Sequence, residues 1–302
     1  MGRQNLAYLY ARVSKAPKIS RSPDTKEYNY GMAYVDVVRG FRKVEDDVNY
    51  TKHDSPLIIS REKEILEKMA LWKENSIVFI KGVITTNSIE KTSYCPNCTN
   101  DKGESTENKV TGNIVFITPI YVRHVADYDS KEEAVEDLVK NKEISNQIYV
   151  LGTLLKDPKL VTTKKGIKFT QYPIAINRKY TIRTDDPSIR TDWPIVKSYG
   201  EQALDDRTYL RFQSDVLIDG FLQARTITRR RKCDHCGEIY DWKDHCMELI
   251  PYDVEYVSGY KTKEEAEAEY AQTVEEYKQM LYSSGYRDEL DEDLKSDDTN
   301  EE

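Results

Sequence analysis

The chain is 302 residues long and has 45 lysines and arginines, 53 aspartates and glutamates, and a net charge of −8. Apolar residues make up 38% and charged residues 32%, which excludes a wholly disordered polypeptide and leaves enough length for two domains. No apolar run approaches the roughly 18 residues of a membrane span, and the first residues lack a signal-peptide pattern, so we expect a cytoplasmic protein without a membrane segment.

Charge is distributed unevenly along the chain. Residues 284–302 contain nine acidic and two basic side chains, whereas residues 150–232 contain 17 basic and nine acidic ones. A basic body beside an acidic terminus is typical of a domain that binds a polyanion and carries a solvated arm. We therefore expect nucleic acid as a partner of the body and a disordered tail at the end.

The strongest feature of the sequence is an internal repeat. Residues 5–19 align with residues 146–160 without a gap, and matches continue in the same order through each unit. At a constant offset of 138, the aligned pairs include Leu66 and Leu204, Gly82 and Gly220, Cys95 and Cys233, and Cys98 and Cys236. Such ordered matches indicate a tandem duplication over residues 5–140 and 146–282.

Each unit has the same predicted series of elements. In the second unit these are strands at 148–154, 169–176 and 193–199, a helix at 201–210, a strand at 216–225 with a kink at Gly220, a cysteine-bearing arm, a strand at 247–257 and a helix at 261–281. Strands at this spacing with one short helix after the third indicate a small closed barrel, in the order of the five-stranded oligonucleotide-binding (OB) fold.

The sequence therefore predicts an all-β protein built from two tandem OB-fold barrels with cysteine-bearing β-arms. A helix follows each barrel, and a disordered acidic tail ends the chain. We divide the chain into a first barrel (1–128), a helical connector (129–145), a second barrel (146–260), a C-terminal helix (261–283) and the tail (284–302).

A series of small motifs covers residues 146–225 of the second unit. They are Asn-x-x-Tyr-Val-Leu-Gly at 146–152, Lys-Asp-Pro at 156–158, the strands at 166–176 and 193–200, and Val-Leu-Ile-Asp-Gly-Phe-Leu-Gln-Ala-Arg at 216–225. Together they resemble the bacterial single-stranded DNA-binding protein family, whose barrels stack bases on aromatic side chains of one face. The resemblance implies that Tyr180, Trp193 and Tyr199 stack on bases, whereas Ile227 stands at a fourth position that is aromatic in the family.

Physical chemistry supports this interpretation independently. An aromatic face stacks any base, contributing about 1–3 kcal/mol per base, and neighbouring cations neutralise phosphates. The cations near these aromatics are Arg178, Lys179, Lys197, Arg225, Arg229, Arg230 and Arg231. We predict sequence-nonspecific binding of single-stranded DNA that weakens with salt, with RNA left open as the natural ligand because no feature reads the 2′-hydroxyl.

The first unit lacks most of this aromatic set. Ser55 stands at the position of Trp193, and Arg61 at that of Tyr199. We therefore expect a degenerate nucleic-acid face on the first barrel and the main binding face on the second.

Two Cys-x-x-Cys pairs predict a structural zinc site, because zinc takes four thiolate or imidazole ligands in a tetrahedron. In one arrangement, Cys95, Cys98, Cys233 and Cys236 form a single site that joins the two arms. In the other, Cys233 and Cys236 close a local site with Cys246 and His245. A third interpretation leaves the cysteines without metal.

We find no catalytic motif of the phosphate-loop, dinucleotide, zinc-protease or serine-hydrolase kinds, and we predict a binding protein rather than an enzyme. Its roles would lie in replication, recombination or transfer of DNA, and it would be nucleoid-associated, with replication or recombination proteins recruited by the acidic tail. One rival is a zinc-stabilised interaction module of a replication or transcription complex. Another is an accessory domain of a nuclease or transferase. A homodimer is also left open.

Overall fold

The computed structural model describes residues 4–40, 52–99, 105–184 and 186–283. The first repeat contains β1 (Gln4–Val13), β2 (Lys18–Arg21), β3 (Tyr28–Val38), β4 (His53–Asp54), β5 (Leu57–Ser60), α1 (Lys63–Met69), β6 (Ile77–Thr99) and β7 (Ser105–Ala126). The connection contains α2 (Lys131–Lys140) and a 3-10 turn (Lys142–Ile144). The second repeat contains β8 (Gln147–Leu154), β9 (Lys159–Thr162), β10 (Lys168–Asn177), β11 (Thr191–Asp192), β12 (Ile195–Tyr199), α3 (Gly200–Tyr209), β13 (Asp215–Lys232) and β14 (Ile239–Ser258), and α4 (Lys263–Ser283) follows it. The acidic tail predicted for residues 284–302 lies outside the described residues.

Five strands of each repeat close into a barrel. In the first, β1 pairs with β3 and β6, β3 with β5, β6 with β7, and a parallel contact between Ile58 and Ile117 joins β5 to β7. The second closes in the same order through β8, β10, β12, β14 and β13, with the parallel contact between Val196 and Leu249. The predicted architecture of two tandem OB-fold barrels is confirmed.

The strands alternate between core and surface, as the sequence pattern requires. In β8, Ile148, Val150 and Leu154 are fully buried, and the intervening side chains are partly exposed. β13 bends at Gly220, where the pairing with β14 shifts register. A Cβ at this position would lie 2.2 Å from the carbonyl oxygen of Ile250, so only glycine permits the close approach of the two strands.

Two long hairpins project from the barrels. The first arm consists of the distal parts of β6 and β7, and the second arm of the distal parts of β13 and β14. β13 continues in register to Lys232, beyond the end at residue 225 that the apolar alternation predicts. Few side chains of the second arm are buried, because the hairpin extends away from the barrel core. Its sequence therefore lacks the alternation of apolar and polar residues by which a core strand is predicted.

The two barrels are joined by a pseudo-two-fold arrangement of their first strands. β1 and β8 pair antiparallel. The repeat aligns Leu6 with Gln147 and Tyr8 with Tyr149, so the pair Leu6–Tyr149 in one direction is equivalent to the pair Gln147–Tyr8 in the other. The symmetry extends to buried amides. The side-chain amide of Asn5 donates a hydrogen bond to the carbonyl of Ile84 and accepts one from its N–H. Its counterpart Asn146 makes the same two hydrogen bonds with Leu222. The duplication therefore produces an internal dimer of barrels.

The helices pack at the periphery. Ser130 caps α2 by accepting a hydrogen bond from the Glu133 N–H at 3.2 Å, as expected for a serine that precedes a helix. α2 and the 3-10 turn lie within residues 129–145, which we predict as the connector. The division of the chain into domains stays a proposal. Within the described ranges, the helices are too short or too polar to cross a membrane.

Candidate nucleic-acid interface

An aromatic surface covers one face of the second barrel. The register of β10 with β12 places Phe169 opposite Tyr199, and their ring centroids lie 6.1 Å apart. Trp193 precedes β12 on the same side. Tyr199 is 37% exposed and Trp193 is 45% exposed, although residues of this size are usually buried. The structure therefore leaves two of the three predicted stacking residues accessible on a common face.

Lys197 lies beneath this surface and not at its edge. Its Nζ is 4.0 Å from the Phe169 ring centroid, 5.6 Å from that of Tyr199 and 3.8 Å from Glu248. The residue is only 5% exposed, and desolvation lowers the pKa of its ammonium group, with Glu248 opposing the shift. Lys197 therefore supports the rings by cation–π contact, and its position corrects our expectation that it neutralises a phosphate.

Arg178 is also withdrawn from solvent. Its guanidinium makes two hydrogen bonds to Asp192, from Nε at 2.6 Å and from a terminal nitrogen at 2.7 Å, and the residue is 8% exposed. This geometry corrects the prediction of a phosphate contact, because the charge is already paired inside the protein. The neighbouring Lys179 is exposed. Tyr180 is half-buried, with the Nζ of Lys81 from the first barrel 5.8 Å from its ring centroid.

The arginines of the second arm remain closer to solvent, although each has an acidic neighbour. Arg225 donates to Glu248 at 3.1 Å, and Arg229 donates to Asp244 at 2.7 Å. Arg231 donates to Asp234 at 2.6 Å, and Arg230 lies 3.5 Å from Asp241 with most of its side chain exposed. Of these four pairs, that of Arg230 with Asp241 is exposed on both sides and contributes little to stability, so Arg230 can exchange its carboxylate for a phosphate. Arg225 and Arg229 are held by the buried carboxylates of Glu248 and Asp244.

Sequence reasoning missed three aromatic residues at this interface. Phe169 completes the ring pair with Tyr199, Trp242 lies half-buried on the second arm, and Tyr34 of the first barrel is 52% exposed. The repeat itself contained one signal, because Tyr30 occupies the place of Phe169 in the first barrel and the Cζ of Arg61 lies 5.0 Å from its ring centroid. The first barrel therefore retains aromatic surface despite the loss of the tryptophan.

The structure brings the four cysteines of the two arm tips together. The Sγ atoms of Cys95 and Cys236 are 3.8 Å apart, those of Cys98 and Cys233 are 3.6 Å apart, and all four lie within 4.8 Å of one another. A tetrahedron with Zn–S bonds of about 2.3 Å has edges of about 3.8 Å, so these spacings fit a metal at the centre. The local alternative with His245 and Cys246 is not formed. In the register of β13 with β14, Cys246 lies opposite Arg225, which is eight residues from Cys233. At about 3.3 Å per residue, Cys246 is therefore about 26 Å from Cys233 along the arm.

The thiols of this cluster differ in acidity. Hydrogen bonds from the protein backbone, led by that of Cys236, lower the pKa of Cys233 to about 6. Desolvation raises the pKa of Cys95. A backbone hydrogen bond at Glu238 lowers the pKa of Cys236, but desolvation and the hydrogen bonds with Cys98, Cys233 and Cys95 outweigh it and raise the pKa to about 12. Four crowded thiols without a cation cannot all ionise, whereas a soft divalent cation stabilises all four thiolates.

Comparisons with known proteins agree with this geometry. Residues 145–236 match the model of the single-strand binding protein family. A curated single-stranded DNA-binding protein from Thermotoga maritima is 31% identical over 80 residues, which make up 26% of this chain and 57% of that protein. The match thus spans little more than half the length of this relative.

The solved structures extend the likeness to both barrels. The crystal structure of a wild-type single-stranded DNA binding protein from Thermus aquaticus has a TM-score of 0.51 and 13% identity, and it covers 87% of this chain and 97% of that one. A deletion mutant of the Thermus aquaticus protein gives a TM-score of 0.51 and 15% identity, with 88% and 100% covered. At these identities the likeness shows the fold. Residues 145–236, which make up most of the second barrel, therefore match the single-strand binding protein family, and both barrels share the fold of the solved single-stranded DNA binding proteins.

Proposed function

We propose that the chain binds single-stranded DNA without sequence preference and without catalysing a reaction on it. The observation that supports the proposal best is the aromatic surface of the second barrel, where Trp193 and Tyr199 are exposed and the half-buried Phe169 packs beside Tyr199. Flat rings stack on every base, and the neighbouring arginines provide charges for the phosphates. Binding of this kind keeps exposed strands unpaired and protected in replication, recombination or DNA transfer.

The decisive experiment follows intrinsic fluorescence during titration with oligo-dT, oligo-rU and duplex DNA at several salt concentrations. We expect strong quenching by the single strand and loss of binding as salt rises. Trp193→Ala should weaken binding by roughly 5- to 150-fold, because stacking contributes about 1–3 kcal/mol per base. Tyr270→Ala, at an exposed aromatic on α4, serves as the control and should bind normally.

Two outcomes would contradict the proposal. Absence of binding to any single strand at low salt would exclude it and favour the protein-interaction module. Metal-dependent breakdown of labelled DNA would indicate an enzyme. Equal affinity for oligo-rU and oligo-dT would keep the stacking mechanism and leave RNA as a natural ligand.

The proposal includes zinc as a structural metal of the four-cysteine cluster. Four thiolates in a tetrahedron match the preference of zinc, and the ligand set leaves no position for a reacting water. Metal analysis of the purified chain should find one zinc per chain. Cys95→Ser should lower the zinc content and Cys246→Ser should not, whereas dependence on Cys246 would favour the local arrangement.

A further inference from the structure

Each barrel face forms a groove with the arm of the other repeat. The first groove, of about 620 Å³, is lined by Tyr34 and Leu57 of the first barrel and by residues 242–247 of the second arm. The second groove, of about 490 Å³, is lined by Trp193 of the second barrel and by residues 110–113 of the first arm. The exposed face of each barrel therefore lies opposite an arm that the other repeat supplies.

Contacts between the arms separate the two grooves. The Nζ of Lys91 donates to Asp244 at 2.5 Å and to the carbonyl of His245 at 3.2 Å. Val115 and Met247 pack against the hydrophobic core and, with this ion pair, stand in the walls that both grooves share. The grooves are therefore two sites, one on each barrel.

Equivalent hydrogen bonds attach each arm to the opposite barrel. The N–H of Thr86, in the first arm, donates to the buried Asp192 of the second barrel at 2.8 Å. The N–H of Ala224, in the second arm, donates to the buried Asp54 of the first barrel at 2.8 Å. The residue that follows each aspartate lines the adjacent groove. The two-fold relation of the barrels thus extends to the grooves, and their walls can be compared position by position.

The register of the arms gives the equivalent positions on the arm walls. Lys91 pairs with Val110 in the first arm, and Arg229 pairs with Trp242 in the second. Since Lys91 and Arg229 are related by the repeat offset of 138, Val110 and Trp242 occupy the same place on the two arms.

The tryptophan stands on opposite walls of the two grooves. In the second groove, the barrel wall carries Trp193 and the arm wall carries Val110. In the first groove, the barrel wall carries Ser55 and the arm wall carries the half-buried Trp242, which also borders the second groove. The large ring that the first barrel lacks on its own face is therefore supplied by the arm of the other repeat.

The first groove has a second ring and a cation that the second groove lacks at the same positions. The register places Tyr34, which is 52% exposed, where the second barrel has Pro173. On the arm wall, the exposed Lys243 follows Trp242, whereas Thr111 follows Val110. Within the part of the chain that the structure describes, no carboxylate forms an ion pair with Lys243. A ring on each wall and an unpaired cation suit bases and a phosphate.

We propose that the first groove is a second binding site for single-stranded DNA, in which Trp242 and Tyr34 stack on bases and Lys243 meets a phosphate. This inference rests on the proposed function and adds a site to it. The volume of the groove lies in the range of about 300–1,000 Å³ in which proteins hold small ligands, so it has room for a base with its sugar. The first barrel then contributes to binding although its own face has serine in place of tryptophan.

The test counts the sites of the full chain by titration calorimetry at low salt. The probe is an oligo-dT of about six nucleotides, near the lower end of the range that one OB fold holds. We expect two oligonucleotides per chain. Trp193→Ala should remove the site of the second groove, and Tyr34→Ala combined with Lys243→Ala should remove that of the first, so that each variant binds one. Tyr270→Ala combined with Lys131→Ala, at exposed positions of α4 and α2, is the matched control and should bind two.

Fluorescence of Trp193→Ala provides a second measurement that assigns the remaining site. The tryptophans left in this variant are Trp72, which is 3% exposed, and Trp242. Oligo-dT should still quench the emission, because a base stacks on Trp242. Adding Tyr34→Ala and Lys243→Ala should weaken the quenching titration by roughly fivefold or more, as expected for the loss of one stacked base.

Two results would overturn the inference, and they differ in what they leave standing. A single oligonucleotide per chain, lost in Trp193→Ala and retained in Tyr34→Ala with Lys243→Ala, would exclude the second site and leave the proposed function intact. Absence of binding by the unaltered chain would reject the proposed function and the second site together.

Discussion

Among single residues, Lys197 and Arg230 are two cations of one candidate interface that differ in their exposure to solvent. Lys197 is enclosed by Phe169, Tyr199 and Glu248, whereas most of the Arg230 side chain is in solvent. A buried cation beneath two rings holds their positions, and an exposed one is free to meet a phosphate. The two residues should therefore affect binding in different ways.

We predict that Arg230→Ala lowers the slope of log K against log salt by about 0.7, the value for one contact to a single-strand phosphate. Lys197→Met should weaken binding through the displaced rings and leave the slope unchanged. Titrations at several salt concentrations measure both quantities. Lys131→Ala, at an exposed position of α2, is the control and should change neither. A reduced slope for Lys197→Met would place its charge on the DNA.

The ion pair of Arg178 is a feature that could not be predicted from the sequence. Its basic neighbours and the adjacent Tyr180 predict a phosphate contact, but its charge is paired with Asp192 across a hairpin of β10 and β11. That pairing depends on strand register, which no local pattern specifies. The family resemblance pointed to Trp193 and Tyr199, which the structure leaves exposed, and their stacking on bases stays a proposal.

At the scale of elements, the repeat made the barrels predictable and the arms only partly so. Alternating apolar residues mark the core strands, and equal spacing in both units gives their order. The distal arms have no such period, since little of their surface is buried. The cysteine pairs gave a meeting of the arms as one of three arrangements, and the structure brings the four cysteines together as that arrangement requires.

Metal removal provides the prediction for the arms. From the proposed zinc at the four-cysteine cluster, we expect that a chelator speeds hydrogen exchange in the hairpin residues beyond Lys91 and Asp244, because the arm tips would lose a link. The barrels should keep their protection, since their cores are separate from the cluster of Cys95, Cys233 and Tyr240. Exchange measured by mass spectrometry before and after chelation separates the two regions. Faster exchange throughout both barrels would instead show that the metal stabilises the whole fold.

For the whole molecule, the pseudo-two-fold symmetry conflicts with the direction of a DNA strand. The antiparallel pairing of β1 with β8 relates the barrels by a two-fold operation. A two-fold rotation maps a strand that crosses the axis onto itself with its 5′-to-3′ direction reversed. The two barrel faces therefore meet such a strand with opposite polarity. The replacement of Trp193 by Ser55 in the first barrel agrees with this, because only one face needs to hold the strand in its preferred polarity.

This reversal leads to a prediction about strand orientation. An oligonucleotide long enough to reach both barrels, with a photoreactive uridine at its 5′ end, should crosslink mainly to one barrel, and the same probe at the 3′ end should crosslink to the other. Peptide mapping around Tyr34 and Trp193 identifies the barrel in each case, since both aromatics are exposed on the facing surfaces. Trp193→Ala should weaken crosslinking at the second barrel more than at the first, because stacking there orients the strand. If both probes give the same distribution over the two barrels, the strand binds in either direction and the asymmetry between the barrels has another cause.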